Sequence, residues 1–126
     1  MDKLLEKNSK YFYFAFRVII GLLFLLHGIM KIQMAMSGNL QLMSLMGLAL
    51  FIEVVAGIMI ILGLFTRYVA IVTALEMIAA YFIAHISGGW NPIANKGEPA
   101  VLFFAAFLVL IAYGSGKWAL DSKIKK

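Results

Sequence analysis

Seven ionisable residues stand within or at the edges of long apolar runs of this chain: Arg17, His27, Lys31, Glu53, Glu76, His85 and Glu98. Only 13% of the residues are charged, so each one held among apolar neighbours is a candidate for chemistry. A charge at the centre of a bilayer costs about 2.5–3.5 kcal/mol on insertion scales, and such side chains turn towards protein or water and find partners. Together these residues offer what a proton relay or a carbonyl-bearing lipid needs: imidazoles and an ammonium to donate, carboxyls to accept a proton. His27 and Lys31 share one helical face at a spacing of four. Glu53, Glu98 and His85 fall towards the same end, so His27, Lys31, Glu53, Glu98 and His85 form the candidate ligand-binding set; no catalytic residue is assigned. Arg17 and Glu76, about 8 Å and about 12 Å in from the opposite end, form the expected structural ion pair. Glu76 and His85 are nine positions apart, about half a turn around the helix, which sets Glu76 with Arg17.

Each residue also has a purely structural reading. His27 is a neutral imidazole bonded to Glu53, Lys31 reaches the headgroups along its aliphatic stem, and Glu98 serves as a helix cap. A bis-histidine haem between His27 and His85 has no supporting motif. The methionines Met34, Met36, Met43 and Met46 suit an amphipathic surface segment better than a copper site, and no metal is expected. The absence of cysteine excludes disulfide, iron–sulfur and cysteine–zinc chemistry within the chain.

The elements that must position these residues are helices in lipid. Hydrophobic residues make up 63% of the chain and the mean hydropathy is +0.96, whereas a soluble domain has roughly a quarter of its residues charged. A bilayer core takes about 20 apolar helical residues. Four stretches approach that length: 12–30, 45–64, 68–86 and the shorter 99–113. A cleavable signal peptide is the competing reading of the first; its apolar run is too long, and no small-residue cleavage site follows. Turn chemistry separates the stretches: Ser37-Gly38-Asn39, then Gly63 to Arg67, then Ser87 to Pro92, with Glu98-Pro99 opening the last helix and Gly114-Ser115-Gly116 ending it. Short connections predict an all-α, membrane-spanning up-down-up-down four-helix bundle over 1–126 as a single domain. Small residues mark its contact faces: Gly21 and Gly28, Ala49 and Gly57, Ala80 and Ala84.

The net charge of +5 does not signal nucleic acid, because the lysines flank apolar runs. Lys3, Lys7, Lys10, Arg67, Lys117, Lys123, Lys125 and Lys126 fall on one side, against Lys31 and Lys96 on the other. That imbalance predicts cytoplasmic tails.

In order along the chain stand Arg17-x-x-x-Gly21, His27-Gly28-x-x-Lys31, Glu53-x-x-x-Gly57, Gly63-Leu64-Phe65-Thr66-Arg67, Glu76, Asn95-Lys96-Gly97-Glu98, and Gly114 to Asp121. This set resembles the DoxX family of four-helix membrane proteins over nearly the whole chain. It departs from the usual pattern at Lys96, where a small residue is more common. The resemblance implies a prokaryotic inner-membrane protein in a redox setting: an accessory to a membrane oxidoreductase, or a scaffold or assembly subunit. Taken with the buried donors, it leads to a quinone-like lipid as ligand, with no intrinsic cofactor. Membrane lipids, an oxidoreductase and a second copy of the chain are the expected partners. A small transporter of a proton or lipid-like solute is the third reading, which lacks the internal repeat common to transporters.

Overall fold

The computed structural model describes residues 1–124; Lys125 and Lys126, counted above on the tail side, lie outside the described residues. The chain is helical, with no strand among the described residues. Helix α1 is Asp2–Met36, α2 Leu45–Leu62, α3 Thr66–Ala80, α4 Glu98–Tyr113 and α5 Asp121–Ile124. A π turn, Tyr81–His85, and a 3₁₀ turn, Ile86–Gly88, prolong α3. Three helical stretches are long and apolar enough to cross a membrane: Asp2–Met36, Leu45–Leu62 and Thr66–Gly88; Glu98–Tyr113 is apolar but shorter.

Helix α1 starts well before the apolar stretch that marks it and ends beyond it. Residues 2–10 are polar but include the good helix formers Leu, Glu and Lys, so hydropathy located the span and not the helix. The other boundaries have local causes. The Ser44 hydroxyl accepts from the Gly47 N–H at 3.3 Å and opens α2. Gly63 closes α2 at φ +68°, with Gly63 N–H on the Ile60 carbonyl and Leu64 N–H on that of Met59. Pro99 stands in the first turn of α4, where its missing N–H costs nothing.

Helix α1 packs closely along α2, and α3 along α4; α2 and α3 approach less closely, and α1 and α4 meet only through large side chains. The α1–α2 seam rests on three glycines. A Cβ on Gly28 would lie 2.9 Å from the Val54 nitrogen, and one on Gly57 2.8 Å from the Leu25 Cα. Gly21 is pressed in the same way against Ile61 and Gly57. Without a hydrophobic drive between helices in lipid, close backbone approach is what holds them together. Inside, Phe24 meets Phe103 and Phe107 edge-on, with centroids 5.3 and 5.0 Å apart, beside fully buried Ile60 and Leu110. Outside, large apolar residues such as Ile19, Leu22, Phe51, Val72 and Leu102 are exposed on every long helix, as a lipid-facing surface requires.

At the end of the molecule holding the α2–α3 turn, residues 114–121 fold back beneath the helices. Arg17 lies at 0% exposure and grips this segment. Its Nη1 donates to the carbonyls of Ser115 and, at 3.0 Å, Lys117; its Nη2 donates to Trp118 at 3.1 Å and Ile61 at 3.2 Å. The Tyr13 hydroxyl donates to the Gly114 carbonyl. Asp121 then caps α3 from a distance, accepting from Phe65 N–H at 2.6 Å and Thr66 N–H at 3.0 Å, while its own N–H donates to the Gly63 carbonyl at 3.0 Å. The expected Arg17–Glu76 ion pair is not formed. Four backbone carbonyls at the turn occupy the guanidinium, and Glu76 lies further along α3.

Arg17→Gln is expected to lower stability by at least about 3 kcal/mol, because hydrogen bonds to a charged group contribute about 1.5–3 kcal/mol each. It should also open residues 114–124 to protease; thermal unfolding and limited proteolysis in detergent check this. Gly57→Val should cost about 1–3 kcal/mol by overpacking the seam, whereas Ala105→Val, on the exposed face of α4, should leave the unfolding midpoint unchanged.

Candidate functional site

The seam glycines have a direct chemical consequence. Gly28 draws α1 against α2 at Glu53 and Val54, and one turn further on Lys31 reaches Glu53. Its ammonium lies 2.7 Å from Glu53 Oε2, with the two side chains 16% and 7% exposed. Lys31 is therefore turned into the protein and not extended along its stem to the headgroups.

Glu76 joins this pair from the third helix. Glu53 lies nine residues before the end of α2 and Glu76 ten residues after the start of α3. Both stand about 14–15 Å from the connecting turn at 1.5 Å per residue. Glu76 lies within electrostatic reach of Glu53 and Lys31 without bonding to either. Its Oε2 is buried and has no hydrogen-bond partner among the described residues. Sequence counting placed Glu76 with Arg17; the structure places it with Lys31 and Glu53.

The other members of the expected set stand apart. His27 is exposed and meets Phe103 edge-on at 5.3 Å; its side chain makes no hydrogen bond to Glu53, whose Oε2 is taken by Lys31. The cause is helix phase: Lys31 is long enough to curl towards α2, while the imidazole four residues earlier faces α4. His85 ends the π turn that prolongs α3, with Nδ1 3.2 Å from the carbonyl oxygen of Asn95 in the loop before α4. Glu98 is exposed in the first turn of α4, where Gly97 holds the cap position. Asn95, which the sequence marks only as part of a motif, ties this loop together. Its side chain donates to the Gly89 carbonyl at 2.8 Å and to the Tyr81 hydroxyl at 3.1 Å, and accepts from Gly97 N–H at 2.8 Å. The Asn-x-Gly spacing was the available signal. Asp121 is likewise marked only as part of a motif, since its partners lie more than fifty residues away.

No group of three metal-ligating side chains assembles among the described residues. Two apolar hollows flank the helices near the cluster. One of about 330 Å³ follows the loosely packed α2–α3 seam from Phe65 and Tyr68 to Phe51 and Ile52. Another of about 180 Å³ lies between α3 and α4, where the π turn at Tyr81 widens the helix. The arrangement brings one ammonium and two carboxyls, groups able to hold and exchange a proton, together among apolar helices.

The DoxX family model matches residues 12–86. An uncharacterised protein of Haemophilus influenzae is 39% identical, with 97% of each chain covered. A Bacillus subtilis protein named "Putative oxidoreductase CatD" is 32% identical over 87% of this chain and 84% of that one. An uncharacterised membrane protein of Mycobacterium tuberculosis is 24% identical over 87% and 79%. No solved structure matches. With its apolar helices, its seam of glycines and the family's sequence over more than half its length, this chain belongs to the DoxX family of membrane proteins.

Proposed function

We propose that this protein is an inner-membrane accessory subunit of a membrane oxidoreductase system and binds a quinone-like lipid at Lys31, Glu53 and Glu76. Its four apolar helices cross the bilayer up-down-up-down, and both tails are cytoplasmic by the charge imbalance of the flanks. The single observation that carries the reading is the buried Lys31–Glu53 pair with the unpartnered Glu76 carboxyl oxygen beside it. One ammonium balances one carboxylate, so in an apolar setting the cluster is neutral only when a second carboxyl keeps a proton. That is the state required next to a quinone. Lys31 would donate to a quinone carbonyl, and Glu76 and Glu53 would deliver or accept the protons. Reduction of the ring takes two electrons and two protons; the electrons come from the partner oxidoreductase. The α2–α3 hollow gives the ring a lateral path from the lipid. Glu98, exposed in the first turn of α4 at the same end of the molecule, would exchange protons with water. The name printed for the Bacillus subtilis relative supports a redox setting.

A scaffold role is favoured by one observation, the closure of Glu53 by Lys31, which can equally lock α1 to α2 for docking another membrane protein.

Short-chain ubiquinone or menaquinone should raise the unfolding temperature of the detergent-solubilised protein, with about 2.7 kcal/mol expected at a hundredfold excess over Kd. Glu76→Gln should remove the protection. No protection by either quinone, with a membrane protein co-purifying, would replace this reading by the scaffold. Proton flux in sealed vesicles that depends on Glu53 would replace it by transport. Separately, Lys31→Met should destabilise by about 3–5 kcal/mol by leaving Glu53 buried and unpaired. Lys31→Met with Glu53→Gln should recover most of that loss; a double variant no more stable than the single one would mean that the pair is not buried as described.

A further inference from the structure

At the opposite end of the molecule from Lys31, a cavity of about 520 Å³ opens between the start of α3 and the end of α4. It is amphipathic. Ile71 and Ile111 form its apolar part, Tyr68 and Tyr113 flank it, and Arg67, Ser115 and Gly116 form its polar part. The Arg67 guanidinium uses Nη2 on the Ala112 carbonyl at 3.2 Å and forms no ion pair among the described residues. Asp121 also lines the cavity, but both its oxygens already accept backbone N–H groups at the head of α3. The carbonyls of Gly114 and Ser115 are likewise taken, by Tyr13 and Arg17. Donors, by contrast, are left over. The N–H groups of Ser115 and Gly116, in a loop set by positive φ at Gly114 and Gly116, find no acceptor among the described residues. The Thr66 hydroxyl, fully buried in the wall, has no partner either. Occupied acceptors and free donors around one unpaired guanidinium make an anion site, and its apolar part opens along the helices.

We infer that this cavity binds the phosphodiester headgroup of an anionic phospholipid, with Arg67 and the Ser115–Gly116 N–H groups on the phosphate and an acyl chain lying along Ile71 and Ile111. The site is independent of the quinone reading. It gives the fold-back segment, whose carbonyls already hold Arg17, a second anchor in the headgroup layer.

The test uses the full-length protein in detergent micelles titrated with dioleoylphosphatidylglycerol, with dioleoylphosphatidylcholine, or with inorganic phosphate alone, following the unfolding midpoint. Phosphatidylglycerol should raise the midpoint saturably, and neither of the others should. Arg67→Gln should weaken the apparent affinity for phosphatidylglycerol at least about tenfold, and Lys123→Gln, which lines a different hollow, should not. If Arg67→Gln does not fold, Ser115→Asp, which sets a carboxylate at the anion position, should abolish the same response. A response to phosphatidylglycerol unchanged in these variants overturns the site. A saturable response to inorganic phosphate that depends on Arg67 keeps the anion site but overturns the lipid.

Discussion

A charged group in an apolar medium must be compensated within the protein, and this constraint shapes both ends of the molecule. Arg17 and Lys31 stand fourteen residues apart on α1 and meet the demand in opposite ways. Arg17 has five donors and forms no ion pair among the described residues; its four hydrogen bonds go to backbone carbonyls of the α2 end and of the fold-back segment. Lys31 carries a compact ammonium and takes one carboxylate, Glu53. The planar, many-donor guanidinium suits a cluster of dispersed carbonyls, while the ammonium behaves as a point charge. The same helix is thereby tied to the C-terminal segment at one level and to α2 at another.

The carbonyls Arg17 requires explain why a short glycine-rich segment folds back at all. Residues 114–121 leave α4 at Gly114, pass beneath Arg17, and end at Asp121, which supplies the cap that the N-terminus of α3 lacks locally, since Phe65 stands at the cap position with φ +49°. One loop therefore meets two needs: acceptors for a buried cation and an acceptor for a helix start. The motif elements Gly63 to Arg67 and Gly114 to Asp121, far apart in the chain, are two halves of one hydrogen-bonded junction.

Between the ends, the packing is uneven in a way that matters for ligands. Glycines draw α1 and α2 into backbone contact, and α3 packs on α4, while the seam between the two pairs is looser. Glu53 and Glu76 stand at similar distances from the turn on the two helices of that seam. A titratable cluster thus lies along the looser seam, and a helix widened by a π turn lies just beyond it.

The sequence by itself determined the helical class, the positions of the apolar stretches, the seam glycines and which ionisable residues stand among apolar runs, because these follow from local composition and from the cost of charge in lipid. Tertiary structure decided the partners. Counting residues from a helix end gives depth only if the end is known, and α1 extends well past its apolar stretch, so Arg17 and Glu76 look near enough to pair by sequence when they are not. His27 and Lys31 share a face by spacing, yet only the longer side chain turns to α2. The acceptors of Arg17 are backbone carbonyls, which every residue carries and which therefore leave no mark in the sequence.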